Sequence, residues 1–231
     1  MVKKILVALW LFAFAGGVLN ANDGIKIYII HGYNAKVDSF WYPWLKSALS
    51  SEIGTKIKAE NIEIPKLPAP NLQMWKDKIK EVAGQIDEKT YFVTHGIGGV
   101  ATLKFIEESG HKVGGVVLVG GFDKPLGTAD GAQIANAIRT FTSANLDYVT
   151  LTKSIKHIVV LATRDDKIVP YKLSEDLADK LNAKFILEHG GRFKANQVGY
   201  SSPQLIYSEI RLMIDTDNPL PPPPKEDKKK K

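Results

Sequence analysis

Apolar positions along this chain recur with two alternating periods, and the alternation sets out the elements in order. Ile25 to Ile30 is a compact apolar run that passes directly into His31-Gly32-Tyr33-Asn34. From Ser39 to about Ser50 the large side chains fall at helical spacing, with Trp41, Trp44 and Leu45 on one side. Lys56 to Ile64 alternates as a strand does, and Pro65, Pro68 and Pro70 close it. Asn71 is placed to cap a helix carrying Leu72, Trp75, Ile79 and Val82. Thr90 to Thr94 predicts a third strand, Gly98 to Glu108 a third helix, and Val113 to Val119 a fourth strand buried on both faces. Residues 128 to 155 carry a weaker pattern, read as a helix from Ala132 to Phe141 and a surface helical piece. A fifth strand follows at His157 to Ala162, a helix at Tyr171 to Leu181, a sixth strand at Lys184 to Glu188 and a last helix at Pro203 to Ile214.

Strands with continuous apolar runs, alternating with helices, predict a three-layer α/β sandwich: a mainly parallel six-stranded sheet with helices on both faces. Binding sites in such sheets lie at the carboxyl ends of the strands. Those ends carry His31-Gly32-Tyr33, His95-Gly96-Ile97, Gly120-Gly121-Phe122-Asp123, Arg164-Asp165-Asp166 and His189-Gly190-Gly191-Arg192. The polar chemistry therefore gathers on one edge.

The two ends of the chain read differently from its middle. Lys3 and Lys4 precede an apolar run from Ile5 to Leu19, with small and polar residues after it, the layout of a secretory signal peptide over residues 1–21. The run is shorter than the roughly 20 residues that span a bilayer, so cleavage before Asn22 is expected, leaving no stable membrane span. A single domain is expected over residues 22–217, exported to the periplasm or beyond the cell. Residues 218–231 form a proline-rich segment with a lysine end, expected to be extended and without a core of its own.

Charge and cysteine content narrow the partners. Of the formal net charge of +6, the leader contributes +2 and the last seven residues +3, leaving +1 for the rest, which argues against a nucleic-acid surface. The absence of cysteine excludes disulfides and thiolate metal sites.

The segment Tyr91 to Val100 is a strand, a tight turn and a helix, and its core, T-H-G-I-G, matches the shape of the nucleophile elbow G-x-S-x-G with Gly96 at the apex. The turn is present and the hydroxyl is not. Gly96 to Ala101 also fits G-x-G-x-x-A, with Asp123 ending the next strand. That dinucleotide fingerprint belongs after the first strand of a βαβ unit, and here two strands precede it, so no cofactor is expected.

Several motifs in this order resemble the small serine hydrolases of the retinoblastoma-binding protein 9 and YdeN group. They are I-I-H-G-Y-N with W-Y-P-W-L-K-S-A-L after it, P-K-L-P-A-P followed by Trp75, V-T-H-G-I-G-G, A-T-R-D-D-K-I-V-P-Y and H-G-G-R-F. The resemblance covers residues 25 to 212 and implies the α/β-hydrolase fold with a serine, acid and histidine in that chain order. By the same resemblance the acid falls on Asp166, with Asp165 beside it, the nucleophile on Gly96 and the histidine on Arg192.

Two of the three positions therefore lack the chemistry. Glycine offers no oxygen to attack a carbonyl, and a guanidinium with a pKa above about 12 takes up no proton at neutral pH. The expectation is a catalytically degenerate hydrolase that binds rather than cleaves. By analogy the N–H groups of Ile97 and Tyr33 supply an oxyanion hole, and Arg192 adds a permanent charge. A small anion is then a candidate ligand, held by Tyr33, Ile97, Arg192 and His31. Arg192 pairing with Asp166 is the competing expectation. A residual hydrolase is the alternative, with His189 as substitute base or Asp166 activating water. Thr94, Ser201 and Ser202 read as core or capping residues. Trp41, Tyr42, Trp44 and Trp75 read as helix-to-sheet packing in preference to a pocket lining. A third reading makes the chain an envelope interaction module, with a partner protein meeting its helix faces or tail.

Overall fold

The computed structural model describes residues 24–51, 57–64, 70–190 and 203–219. The leader, Pro65, Pro68, Arg192, Ser201, Ser202 and the lysine tail lie outside the described residues. Six strands, β1 (Ile25–Ile30), β2 (Ile57–Ile62), β3 (Thr90–His95), β4 (Val113–Val119), β5 (Ile155–Thr163) and β6 (Lys184–Glu188), form one sheet in the order β2-β1-β3-β4-β5-β6. Every pairing is parallel. Eight helices are described: α1 (Tyr42–Ser50), α2 (Leu72–Ala83), α3 (Ile97–Ser109), α4 (Ala129–Ala135), α5 (Arg139–Thr142), α6 (Tyr148–Ser154), α7 (Tyr171–Lys180) and α8 (Pro203–Asp217).

The sheet divides two hydrophobic cores. In β4, Val116 and Leu118 join the core under α2, α3, α6 and α7, while Val117 and Val119 join the one under α1 and α8. All seven β4 residues are buried, which is why its sequence runs apolar without alternation. The chain moves outward from β1 to β2 and then crosses back to β3 on the other side of β1. This reversal makes the carboxyl ends of β1 and β3 the switch point at which a crevice opens.

Local chemistry explains the helix boundaries. The Asn71 side chain accepts the N–H groups of Gln73 and Met74 and so caps α2. The first helix begins at Tyr42 and not at the expected Ser39, because Phe40 has φ +54° and Pro43 sits in the first turn. The expected helix from Ala132 to Phe141 is two short helices, α4 and α5, with a turn over residues 136–138 between them. Ile138 in that turn and Phe141 after it are fully buried, so their core contacts set the path. The aromatic residues behave as packing: Trp41 and Tyr42 are 0% exposed and Trp75 is 4% exposed.

Candidate active site

The turn after β3 carries the site. Gly96 has φ +55° and ψ −123°, a conformation that L side chains rarely adopt, and it caps α3. Its N–H donates to Val119 O at 2.9 Å, and its carbonyl accepts from Gly99 N at 3.0 Å, which locks the turn between β4 and α3. A Cβ built on Gly96 meets nothing within 4 Å. The backbone is thus bent as a nucleophile elbow and has open space where a serine side chain would stand.

The glycines beside it have a different cause. A Cβ on Gly98 would lie 2.7 Å from His31 O and 2.9 Å from an Ile30 methyl, and one on Gly99 would lie 3.1 Å from Leu118 Cδ2. Glycine at these two positions lets the first turn of α3 press against the end of β1 and against β4. That close approach brings Ile97 into the cleft.

The cleft is lined by Gly32, Tyr33, Phe40, His95, Gly96 and Ile97 on one side, and by Phe122, Leu126, Ile168, Val169 and Asp166 among the residues opposite. Its interior is about 60 Å³, room for a few waters or one carboxylate-sized group. Ile97 opens α3, so its N–H has no intrahelical acceptor, and Tyr33 follows the end of β1. Both expected oxyanion-hole residues therefore border the same space as the empty apex.

Asp166 is the expected acid that reaches this cleft. Its Oδ1 accepts the N–H groups of Ile168 at 2.8 Å and Val169 at 3.1 Å, which fixes the loop after β5. Asp165 is not a cleft residue: it is exposed and accepts Gly190 N–H at 3.0 Å, tying the ends of β5 and β6 together.

Two expected site residues are not among the residues that line the cleft. His31 is one of them. It is 4% exposed, with Nδ1 bonded to Gly32 O at 2.9 Å, Nε2 accepting Ile64 N–H at 3.2 Å, and Trp75 edge-on at 5.2 Å. Burial lowers its pKa below the ordinary histidine value, so the ring serves as a neutral strut between β1 and the segment after β2. His189, the expected substitute base, is exposed in a bend after β6 and is not a lining residue of the cleft. Arg192 lies outside the described residues.

Phe40 lines the cleft without having been a candidate, and His95, at the strand end before the apex, lines it too. His95 is 8% exposed, and its Nδ1 lies 2.6 Å from the Tyr42 hydroxyl, which also accepts Gly32 N–H at 3.2 Å. Phe40 stands edge-on to His95 at 5.8 Å. The available signal was the phase of S-F-W-Y: Phe40 falls outside the helical stripe that buries Trp41 and Tyr42.

Asp123, the candidate ribose acid, is occupied elsewhere. Its Oδ2 accepts from the Tyr148 hydroxyl and from Lys180 Nζ at 2.8 Å. Burial and the Asp123 carboxylate together push the Tyr148 phenol up to about 12. Burial alone would depress the Lys180 ammonium, but its bonds to Asp123 and Asp176 outweigh that and raise it. This cluster joins α6 to α7.

A parallel sheet in this order, a strained glycine turn after its third strand and an acid after its fifth define an α/β-hydrolase scaffold. The chain belongs to the serine hydrolase family, whose family model matches residues 27–208. It is 34% identical over 188 residues to YdeN of Bacillus subtilis, covering 80% of this chain and 94% of that protein. It is 26% identical over 144 residues to the serine hydrolase RBBP9 of Rattus norvegicus, covering 62% of this chain and 72% of that one. The crystal structure of the B. subtilis ydeN product superposes with a TM-score of 0.72 at 32% identity, over 82% of this chain and 98% of that one. A meta-cleavage product hydrolase from Pseudomonas fluorescens shares the fold, with a TM-score of 0.59 at 14% identity over 84% and 92% of the two chains. Among the described residues, no helix is long and apolar enough to cross a membrane.

Proposed function

We propose that this chain is a non-hydrolytic member of the serine hydrolase family, exported, whose former active site binds a small anion. The observation that carries the reading is Gly96: the elbow keeps its bend at φ +55°, and the space for the nucleophile is empty. With Arg192 in place of the family's histidine, the chain also lacks the expected base. Loss of triad members in serine hydrolases leaves about 10³ to 10⁴-fold acceleration over water, far short of a working enzyme. The cleft retains the other half of the machinery, the helix N-terminus at Ile97 and the backbone at Tyr33, which favour a negative oxygen. Arg192 is assigned the counter-charge.

The test is turnover of a short-chain nitrophenyl ester. The unaltered chain stays at background, and a small carboxylate raises its melting temperature in a manner lost in Arg192→Ala. Ester turnover abolished by Asp166→Asn would instead establish water activation, the reading that Asp166's place on the cleft wall favours.

An envelope partner reached through the tail is a second proposal. It rests on the lysine-rich end and is tested by truncating after Asn218 and comparing the proteins recovered.

A further inference from the structure

We propose that Phe40 is a specificity-determining platform at the cleft mouth, and that the ligand is an aryl-substituted acid and not a bare small anion. The inference rests on reading the cleft as a site for an anionic head group.

Three observations meet at this residue. First, Phe40 holds φ +54°, in the left-handed region where a bulky side chain is an outlier and glycine would be at ease. Strain of this kind persists where the surroundings impose it, and it concentrates at ligand clamps. Second, burial does not repay it, because the residue remains 39% exposed. Among the described residues three large apolar side chains are exposed, Phe40, Val149 and Leu212, and of these Phe40 alone lines the cleft. Third, the ring is held in place. It stands edge-on to Tyr42 at 5.8 Å and 87° and edge-on to His95 at 5.8 Å and 81°. Tyr42 and His95 are in turn bonded to each other at 2.6 Å, and His95 precedes Gly96.

The size of the cleft completes the argument. An interior of about 60 Å³ accommodates a head group and little more, so the remainder of any larger ligand must leave past the mouth. There it meets Phe40. An aromatic ring fixed by its neighbours and open to solvent is suited to stacking or edge-on contact with a second ring. An alkyl group of equal size gains from burial but lacks that directional component.

Binding to the full chain is measured by calorimetry with acetate, phenylacetate, cyclohexylacetate and neutral phenylacetamide. Phe40→Ala and Phe40→Gly are tested alongside, the glycine variant because it accepts the backbone without strain. The expected result is phenylacetate about tenfold tighter than acetate and severalfold tighter than cyclohexylacetate, since a well-placed aromatic pair is worth up to about one decade in affinity. In the folded Phe40→Gly chain that preference disappears. Equal affinity for acetate and phenylacetate, or a preference that survives Phe40→Gly, overturns the platform and leaves the anion reading standing. Phenylacetamide binding that depends on Phe40, with no binding of any of the three acids, supports the platform and overturns the anion reading. No binding of any probe overturns both.

Discussion

The Tyr42 hydroxyl lies 2.6 Å from His95 Nδ1 and accepts the Gly32 N–H at 3.2 Å, so one phenol joins the first helix, the elbow strand and the loop after β1. All three groups are buried, and the loss of the hydroxyl removes the acceptor of the Gly32 N–H and one bond of His95. Tyr42→Phe is expected to destabilise the fold by about 1–3 kcal/mol, the cost of leaving a buried backbone donor without its acceptor. Urea unfolding of the variant and the parent chain measures it, with an unchanged m-value showing that only stability has moved.

Gly98 sets how closely α3 approaches β1. Its added Cβ would meet His31 O at 2.7 Å, a backbone atom that cannot swing aside. Gly98→Ala is expected to cost about 1–3 kcal/mol by overpacking and to displace Ile97 from the cleft. Thermal unfolding reads the first effect, and loss of carboxylate-induced stabilisation reads the second.

Gly96→Ala separates backbone strain from steric fit. Because the new methyl finds open space, the penalty should be conformational alone, about 1–3 kcal/mol for an L-residue held at this sparsely populated φ/ψ. The outcome is checked by chemical denaturation. A cost well above this range would show that the cleft is tighter at the apex than the structure indicates.

Asp217 gives the fold an acid-sensitive tie. Its carboxylate accepts from Tyr91 at 2.7 Å and His157 Nε2 at 2.8 Å and pairs with Lys156 at 2.5 Å, which pins the last turn of α8 to the starts of β3 and β5. Burial would raise its pKa, but Lys156, His157 and Tyr91 outweigh burial and hold it below the usual carboxylate value. A depressed folded pKa means that the stabilisation is complete above the unfolded value, about 3.9, and is lost as pH falls through the folded one. Melting curves from pH 7 downward should therefore show Asp217→Asn less stable than the parent at neutral pH, with the gap closing below about pH 4.

The legible parts of this chain were those where one period dominates. The strands at Ile25–Ile30, Val113–Val119 and Lys184–Glu188 have the bounds that their apolar runs suggest. The segment from Ala132 to Phe141 misled because Ile134, Ile138 and Phe141 keep helical spacing across a turn that tertiary packing imposes. The elbow was legible because Gly96 holds a positive φ and Gly98 and Gly99 are kept small by close neighbours. The setting of His31 was not legible because its partner, the N–H of Ile64, is distant in sequence and no local pattern shows which way the ring turns. Phe40 was missed for the same reason, since its role depends on a loop folding back over His95.

As proposed, this chain has lost the hydrolytic groups and kept the scaffold that held them, and the decisive measurement is fluorophosphonate labelling of the unaltered chain beside its Gly96→Ser/Arg192→His double variant. The expected result is no labelling of the unaltered chain and labelling of the double variant at position 96, where a Cβ meets nothing within 4 Å. Labelling of the unaltered chain, mapped to a residue in the cleft, overturns the proposal.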